Sequence, residues 1–143
     1  MAVVLTADQI PQFWEAIKFA CVNADEIDEK FLPKYLNRLL YQLLSSKAQC
    51  HVRLDEGRQL QALAVTKLLT DNITDEKTLF ISCVYSFIKT DPSIWLSDMI
   101  GLSSFAKKNN CKSITISTNI DELASLLEST GLRHRYKSYI LNI

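Results

Sequence analysis

The 143-residue chain is 48% hydrophobic and 22% charged, a balance that supports a sizeable buried core and excludes an intrinsically disordered chain. Sixteen basic residues offset sixteen acidic ones, for a formal net charge of zero. The sequence therefore lacks the overall basic excess that draws proteins to nucleic acid or anionic membrane, and neither partner is expected.

With three glycines, three prolines and no low-complexity stretch, nothing resembles an interdomain linker, and one domain spanning 1–143 is expected. Val3–Leu5 reads as a short first strand. Thr6–Asp8 marks a helix start, with Pro11 in the first turn, where its missing N–H costs nothing. Phe13, Trp14, Ile17, Ala20 and Cys21 recur at spacings of three and four, which predicts one buried helix face. The acidic stretch Asp25–Glu29 separates this helix from a second. There, Phe31, Tyr35, Leu39 and Leu43 form one row and Leu32, Leu36, Leu40 and Leu44 the row beside it.

Cys50–Leu54 and Leu60–Leu69 flank the turn Asp55–Gly57 and predict a hairpin. Leu79–Phe87 is apolar on both alternating sets, as a central strand covered on both faces requires. Asp91–Pro92 opens a helix with Asp91 as N-cap and Pro92 at the first helical position. Its buried side is expected to hold Trp95, Leu96, Met99, Ile100, Leu102 and Phe105, and Asn109–Asn110 ends it. Ser113–Ser117 alternates as a strand. Asn119 and Glu122 form a capping-box pattern for a last helix, which stops at Gly131. His134–Leu141 reads as a final strand. The fold class is α/β with a mixed sheet, in the order βααβββαβαβ.

Cys21, Cys50, Cys83 and Cys111 form no CxxC pair, so buried free thiols are expected and no metal site is. No apolar run approaches the length of a membrane span, and the first residues lack a basic n-region, which predicts a cytoplasmic protein.

The element order resembles that of the GNAT superfamily of N-acetyltransferases over nearly the whole chain. Ser113–Asn119, Leu126–Leu132 and Tyr139–Leu141 carry the likeness: a strand ending in Asn, a short helix, a glycine step and a last strand, with Leu132 in place of the usual Phe. The resemblance implies a strand that pairs with the pantetheine of acetyl-CoA. It also implies an (Arg/Gln)-x-x-Gly-x-(Gly/Ala) loop wrapping the pyrophosphate at a helix N-terminus, where glycine lets backbone N–H groups close on the anion. Cofactor contacts would then lie at Val84, Tyr85, Ser86, Lys89 and Asn119. The connecting segment Phe87–Ile94, however, contains no glycine. Asp91 is expected to occupy the helix dipole and repel an anion, and Pro92 removes a donor. Gly101 lies mid-helix, as a close-packing position.

The resemblance also implies a strand Glu as base and a Tyr as acid. No carboxylate lies within Leu60–Thr70 or Leu79–Phe87, leaving Tyr136 and Tyr139 as candidate proton donors. A nucleophilic pair would need Cys83 or Cys111 to meet His51 or His134 in space. The basic run Arg133–Lys137 reads as a solvated edge protecting a terminal strand.

The favoured reading is a GNAT-like fold that has lost acetyl-CoA-dependent catalysis, holds no cofactor, and acts as an interaction or assembly module toward a protein partner or its own copies. Short GNAT-like proteins occur among bacteriophage virion components, so a virion location stands beside the cytoplasmic one. The alternative is an acyl-CoA-dependent N-acetyltransferase with an atypical cofactor loop. An assembly role predicts an exposed apolar patch, first on the helix Phe31–Leu44.

Overall fold

The computed structural model describes residues 1, 3–118, 121–135 and 137–143. Five strands form one sheet in the order β1 (Val3–Val4), β2 (Gln49–Leu54), β3 (Leu60–Thr70), β4 (Lys77–Ser86) and β5 (Cys111–Ile116). Neighbours are antiparallel except β4 and β5, which run parallel. A parallel pair needs a crossover, and α3 (Pro92–Lys108) supplies it. Helices α1 (Ile10–Asp25) and α2 (Leu32–Leu44) precede β2, and α4 (Asp121–Ser129) follows β5.

The sheet separates two apolar clusters. On one face Ile10, Ile17, Ala20 and Cys21 of α1 and Leu39 and Leu43 of α2 pack on Cys50, Val52, Leu63, Val65 and Cys83. On the other, Leu102 of α3 packs on Ala62, Ala64 and Ile81, together with Met1. Burial on both faces is why β4 reads as an almost unbroken apolar run.

Two bulges break the alternation. Thr66 pairs with Ile81 but Val65 pairs with Cys83, so Ser82 is an extra residue in β4. Arg53 pairs with Ala62 but Leu54 with Leu60, which makes Gln61 an extra residue in β3. Each bulge turns the following side chains to the opposite face. The Ser82 hydroxyl donates to the Val65 carbonyl at 3.1 Å and holds its bulge closed.

Several expectations are corrected. Residues 134–141, read as a strand, carry no strand among the described residues; Tyr139, Ile140 and Leu141 are 83–88% exposed. A strand is held by a ladder and by burial of one face, and within this chain the segment gains neither. On α3, Asp98 is buried, whereas Leu96 and Ile100 face solvent. On α2 only Leu39 and Leu43 are buried, while Tyr41 and Leu44, and Phe31 just before the helix, are exposed. The capping residue Asn119 lies outside the described residues.

Among the described residues no helix is long and apolar enough to cross a membrane.

Candidate active site between β4 and β5

The β4–β5 ladder runs from Lys77↔Cys111 to Ile81↔Ile116 and stops there. β4 continues through Ser82, Cys83, Val84, Tyr85 and Ser86, still paired with β3 but no longer with β5. The ladder ends at the bulge, and among the described residues the backbone N–H and C=O groups of β4 beyond it have no β5 partner, which leaves a wedge between the two strands. Such groups must find a partner in water or in a ligand.

The wedge opens toward α3 and α4 as a small apolar cavity of about 30 Å³, lined by Met1, Ile81, Val84, Trp95, Ile116 and Leu126 among others. That is room for one water. α4 contributes Leu123, Leu126 and Leu127 to this lining yet has no fully buried residue. It is the least anchored wall.

On the opposite face of the sheet lies a polar cleft of about 580 Å³, bounded by the α1–α2 connection and reaching Lys67 and Ser82. Ser82 thus faces this cleft while its neighbour Ile81 faces the wedge cavity. The bulge is the seam between the two spaces. Within the cleft the Tyr35 hydroxyl donates to Asp25 Oδ2 at 2.6 Å. Burial, reinforced by that hydrogen bond, raises the phenol above its ordinary range and keeps it protonated. Arg38 and Lys67 line the same cleft as Asp25, Glu26 and Asp28.

The expected cofactor residues fall in different places. The Val84 side chain lines the wedge cavity. Tyr85 faces α1, its ring 5.6 Å from Phe19 and 5.0 Å from Phe87; only its main chain borders the wedge. Ser86 bonds the Ile88 carbonyl and the Thr90 hydroxyl, folding the β4–α3 loop back on itself. Lys89 is exposed. Asn119 and Tyr136 lie outside the described residues, and Tyr139 is 86% exposed, away from any cavity lining.

Asp91 stands at the N-cap of α3 but makes no side-chain hydrogen bond to the helix. The expectation that its carboxylate fills the helix dipole is therefore corrected. The residue is extended (ψ 148°), and its backbone carbonyl, not its carboxylate, accepts from Ile94 and Trp95.

Sequence reasoning missed Arg53, which reaches the same loop from β2. Its guanidinium bonds Asp98, Gln61 Oε1 and Thr90 Oγ1 and lies 5.7 Å from the Trp95 ring centre. The signal was present as an Arg at an inward strand position, which demands a partner. Asp25 was missed too, because the acidic stretch was read only as a separator between helices.

A Cys–His pair does not form at Cys83. Cys83 faces α1, while His51 lies on the α3 face, its ring 4.7 Å from that of Phe105. The hydrogen bond with Cys21 and burial raise the Cys83 thiol, and burial pushes Cys50 up to about 12. Both stay neutral and poorly nucleophilic.

An acyl-CoA fits this site in part. The wedge offers an extended pantetheine arm the edge of β4. The diphosphate end finds no glycine: Phe87–Asp91 is closed by its own hydrogen bonds, and Pro92 removes an N–H from the start of α3.

No protein-family model matches the chain, and no curated protein matches it in sequence. Solved structures match almost end to end. A predicted acetyltransferase from Clostridium acetobutylicum, determined with acetyl-CoA, has a TM-score of 0.74 at 14% identity, covering 98% of this chain and 94% of that one. A ribosomal-protein-alanine N-acetyltransferase from Brucella melitensis gives 0.71 at 12% identity over 99% and 98% of the two chains. The aminoglycoside 6'-N-acetyltransferase of Acinetobacter baumannii gives 0.65 at 13% identity over 99% and 97%. By these likenesses the chain has a GNAT-like fold, a mixed α/β architecture shared with acetyltransferases.

Proposed function

We propose that the protein is an acyltransferase that takes an acyl group from a pantetheine thioester in the β4–β5 wedge and delivers it to an amine in the cleft on the other side of the bulge. One observation carries this reading: the parallel ladder ends at Ile81↔Ile116 where Ser82 bulges, so that among the described residues β4 goes on without a β5 partner between two cavities on opposite faces of the sheet. The structural neighbours support an acetyltransferase over the reading of lost catalysis, and nothing in the structure supports a virion role. Acetyl-CoA is the simplest donor, since one neighbour was determined with it.

When bound, the thioester would supply an acyl carbon to which the acceptor nitrogen bonds as the carbon–sulfur bond breaks, the pantetheine leaving as a thiolate that takes its proton from solvent. The chain's own residues do the rest. The β4 edge at Val84–Ser86 orients the arm through main-chain hydrogen bonds, as in strand addition. Trp95, Leu126 and Leu127 exclude water from the thioester. Asp25, held by Tyr35, is the carboxylate of the cleft that can take the proton released by the attacking amine and pass it to solvent. Positioning two reactants on either side of a narrow opening is itself a large part of such catalysis.

The 30 Å³ cavity is far smaller than an arm requires, so α4, with no buried residue, is the wall that must move.

The test is calorimetric titration with acetyl-CoA and with S-acetyl-pantetheine, followed by thiol release in the presence of amines. Saturable micromolar binding, lost in Val84→Trp with an unchanged circular dichroism spectrum, supports the site. No binding of either donor overturns it.

A further inference from the structure

The cleft on the α1–α2 face carries charges of both signs that do not neutralise one another. Asp25, Glu26 and Asp28 come from the end of α1 and the connection after it, Lys34 and Arg38 from α2, and Lys67 from β3. Among the described residues none of these six enters a salt bridge. Three negative and three positive side chains give the lining a formal charge of zero.

Lys67 is the telling member. It is half-buried in a central strand, on the face that α1 and α2 cover, and it opens into the cleft with no carboxylate within salt-bridge distance. Lysines drawn this far into a protein normally have a partner. Its place in the ladder is also informative. Thr66 pairs with Ile81 and Lys67 with Phe80, so Lys67 stands diagonally across from the Ser82 bulge. Arg38 adds a second cation from α2, one turn beyond Lys34 on the same helix face.

We propose that the cleft takes up a free α-amino acid as the acceptor of the acyl group. Its ammonium faces Asp25, Glu26 and Asp28, and its carboxylate accepts hydrogen bonds from Lys67 and Arg38. This inference rests on the reading of the cleft as the acceptor side. Tyr35 holds Oδ2 of Asp25 at 2.6 Å and leaves Oδ1 for the nitrogen. A zwitterion matches a lining of zero charge, whereas a polycationic amine meets three cations and a phosphorylated amine brings a surplus negative charge. Because Lys67 lies beside the bulge, the anion it binds is close to the reacting nitrogen. That is the arrangement of an α-amino acid, and the N-terminus of a longer peptide has no carboxylate there. Ile27, Phe31 and Leu39 supply an apolar wall that suits an aliphatic or aromatic side chain.

The experiment is calorimetric titration of the whole chain, without any acyl donor, using leucine against 3-methylbutylamine and phenylalanine against phenethylamine. The members of each pair differ only in the carboxylate. The amino acid is expected to bind at least about tenfold more tightly than its amine. That gap is expected to shrink in Lys67→Gln and in Arg38→Gln, and the second replaces an exposed helix residue, so its fold is kept. Equal affinity within each pair, or no binding of either amino acid at about 10 mM, overturns the proposal. A gap unchanged in both variants overturns it too, as does O-phosphoethanolamine binding more tightly than either amino acid. Thiol release from acetyl-CoA, measured with the same four compounds, separates the two readings. Discriminating binding without release removes the acyltransferase reading and leaves the amino-acid site. Release that is as fast with the amines as with the amino acids leaves the acyltransferase and removes this substrate.

Discussion

Arg53 donates through Nε to both carboxylate oxygens of Asp98, at 3.2 and 3.1 Å, and so fastens β2 to α3. Asp98 also accepts from the Met1 amine at 2.9 Å, and the Asp98 and Arg53 side chains are only 4% and 12% exposed. Removing one partner leaves a buried charge with no counterpart. Asp98→Ala is expected to lose about 3–5 kcal/mol, seen as a fall in the urea midpoint. Arg53→Met with Asp98→Leu is expected to restore only part of that loss, because the buried Met1 amine is then still left without its carboxylate.

The sheet's order and the helices were legible because their signals are local. The alternation in β4, proline in the first turns of α1 and α3, and Gly131 at φ +99° after α4 each act within a few residues. The bulges were not legible. A single extra residue at Ser82 or Gln61 leaves no mark in a strand already apolar on both sides, and these bulges decide which side chains reach the wedge. Asp98 escaped for a related reason: its partner Arg53 is 45 residues away, so a helix face that should have read as apolar hid a charge. The segment after α4 has the alternation of a strand, but alternation alone does not build a ladder.

His51 gives the protein an acid-sensitive joint. Its ring is fully buried, Nε2 lies 2.8 Å from Thr66 Oγ1, and Nδ1 has no partner. Because the Thr66 hydroxyl donates to Gln49, Nε2 must donate to Thr66, which leaves Nδ1 a bare acceptor. Burial, with the positive Met1 amine, lowers the imidazole from 6.5 to about 4. The unfolded chain therefore binds this proton more readily between those values. Stability from the neutral ring is complete above about pH 6.5 and is lost as pH falls toward 4, by up to about 3 kcal/mol. Urea midpoints across that range should fall more steeply for the unaltered protein than for His51→Asn, which has no imidazole to titrate.

Two glycines separate crowding from backbone strain. A Cβ on Gly101 would stand 2.5 Å from the Met1 carbonyl oxygen and 2.9 Å from its carbon. Alanine favours a helix interior by about 1 kcal/mol over glycine, yet the clash with main chain outweighs it. Gly101→Ala is expected to lower the melting temperature, with a net loss of about 1–3 kcal/mol. Gly131 has no atom within 4 Å of such a Cβ, but its φ is +99°. Gly131→Ala is expected to cost about 1–2 kcal/mol from backbone strain alone, with no change in packing.

Trp95 tests the wedge. It stands between the β4 edge and α4, and it stacks beside Arg53. Trp95→Ala enlarges the space open to a pantetheine arm and is expected to tighten acetyl-CoA several-fold in calorimetry while lowering the urea midpoint. Acetyl-CoA and S-acetyl-pantetheine should differ in affinity by less than about tenfold, roughly 1.4 kcal/mol, because Phe87–Asp91 offers the diphosphate little.

The extra residue at Ser82 makes β4 two half-strands of opposite phase. Ile81 belongs to the α3 cluster, whereas Cys83, Tyr85 and Phe87 belong to the α1 cluster. If Ser82 were instead paired in register, with no bulge, the chain would keep every apolar residue and still turn the stretch from Cys83 to Phe87 inside out, sending Tyr85 toward the wedge cavity and Val84 toward α1. The reading frame of that strand, more than any side chain in it, is what assigns Cys83, Val84 and Tyr85 to their sides of the sheet.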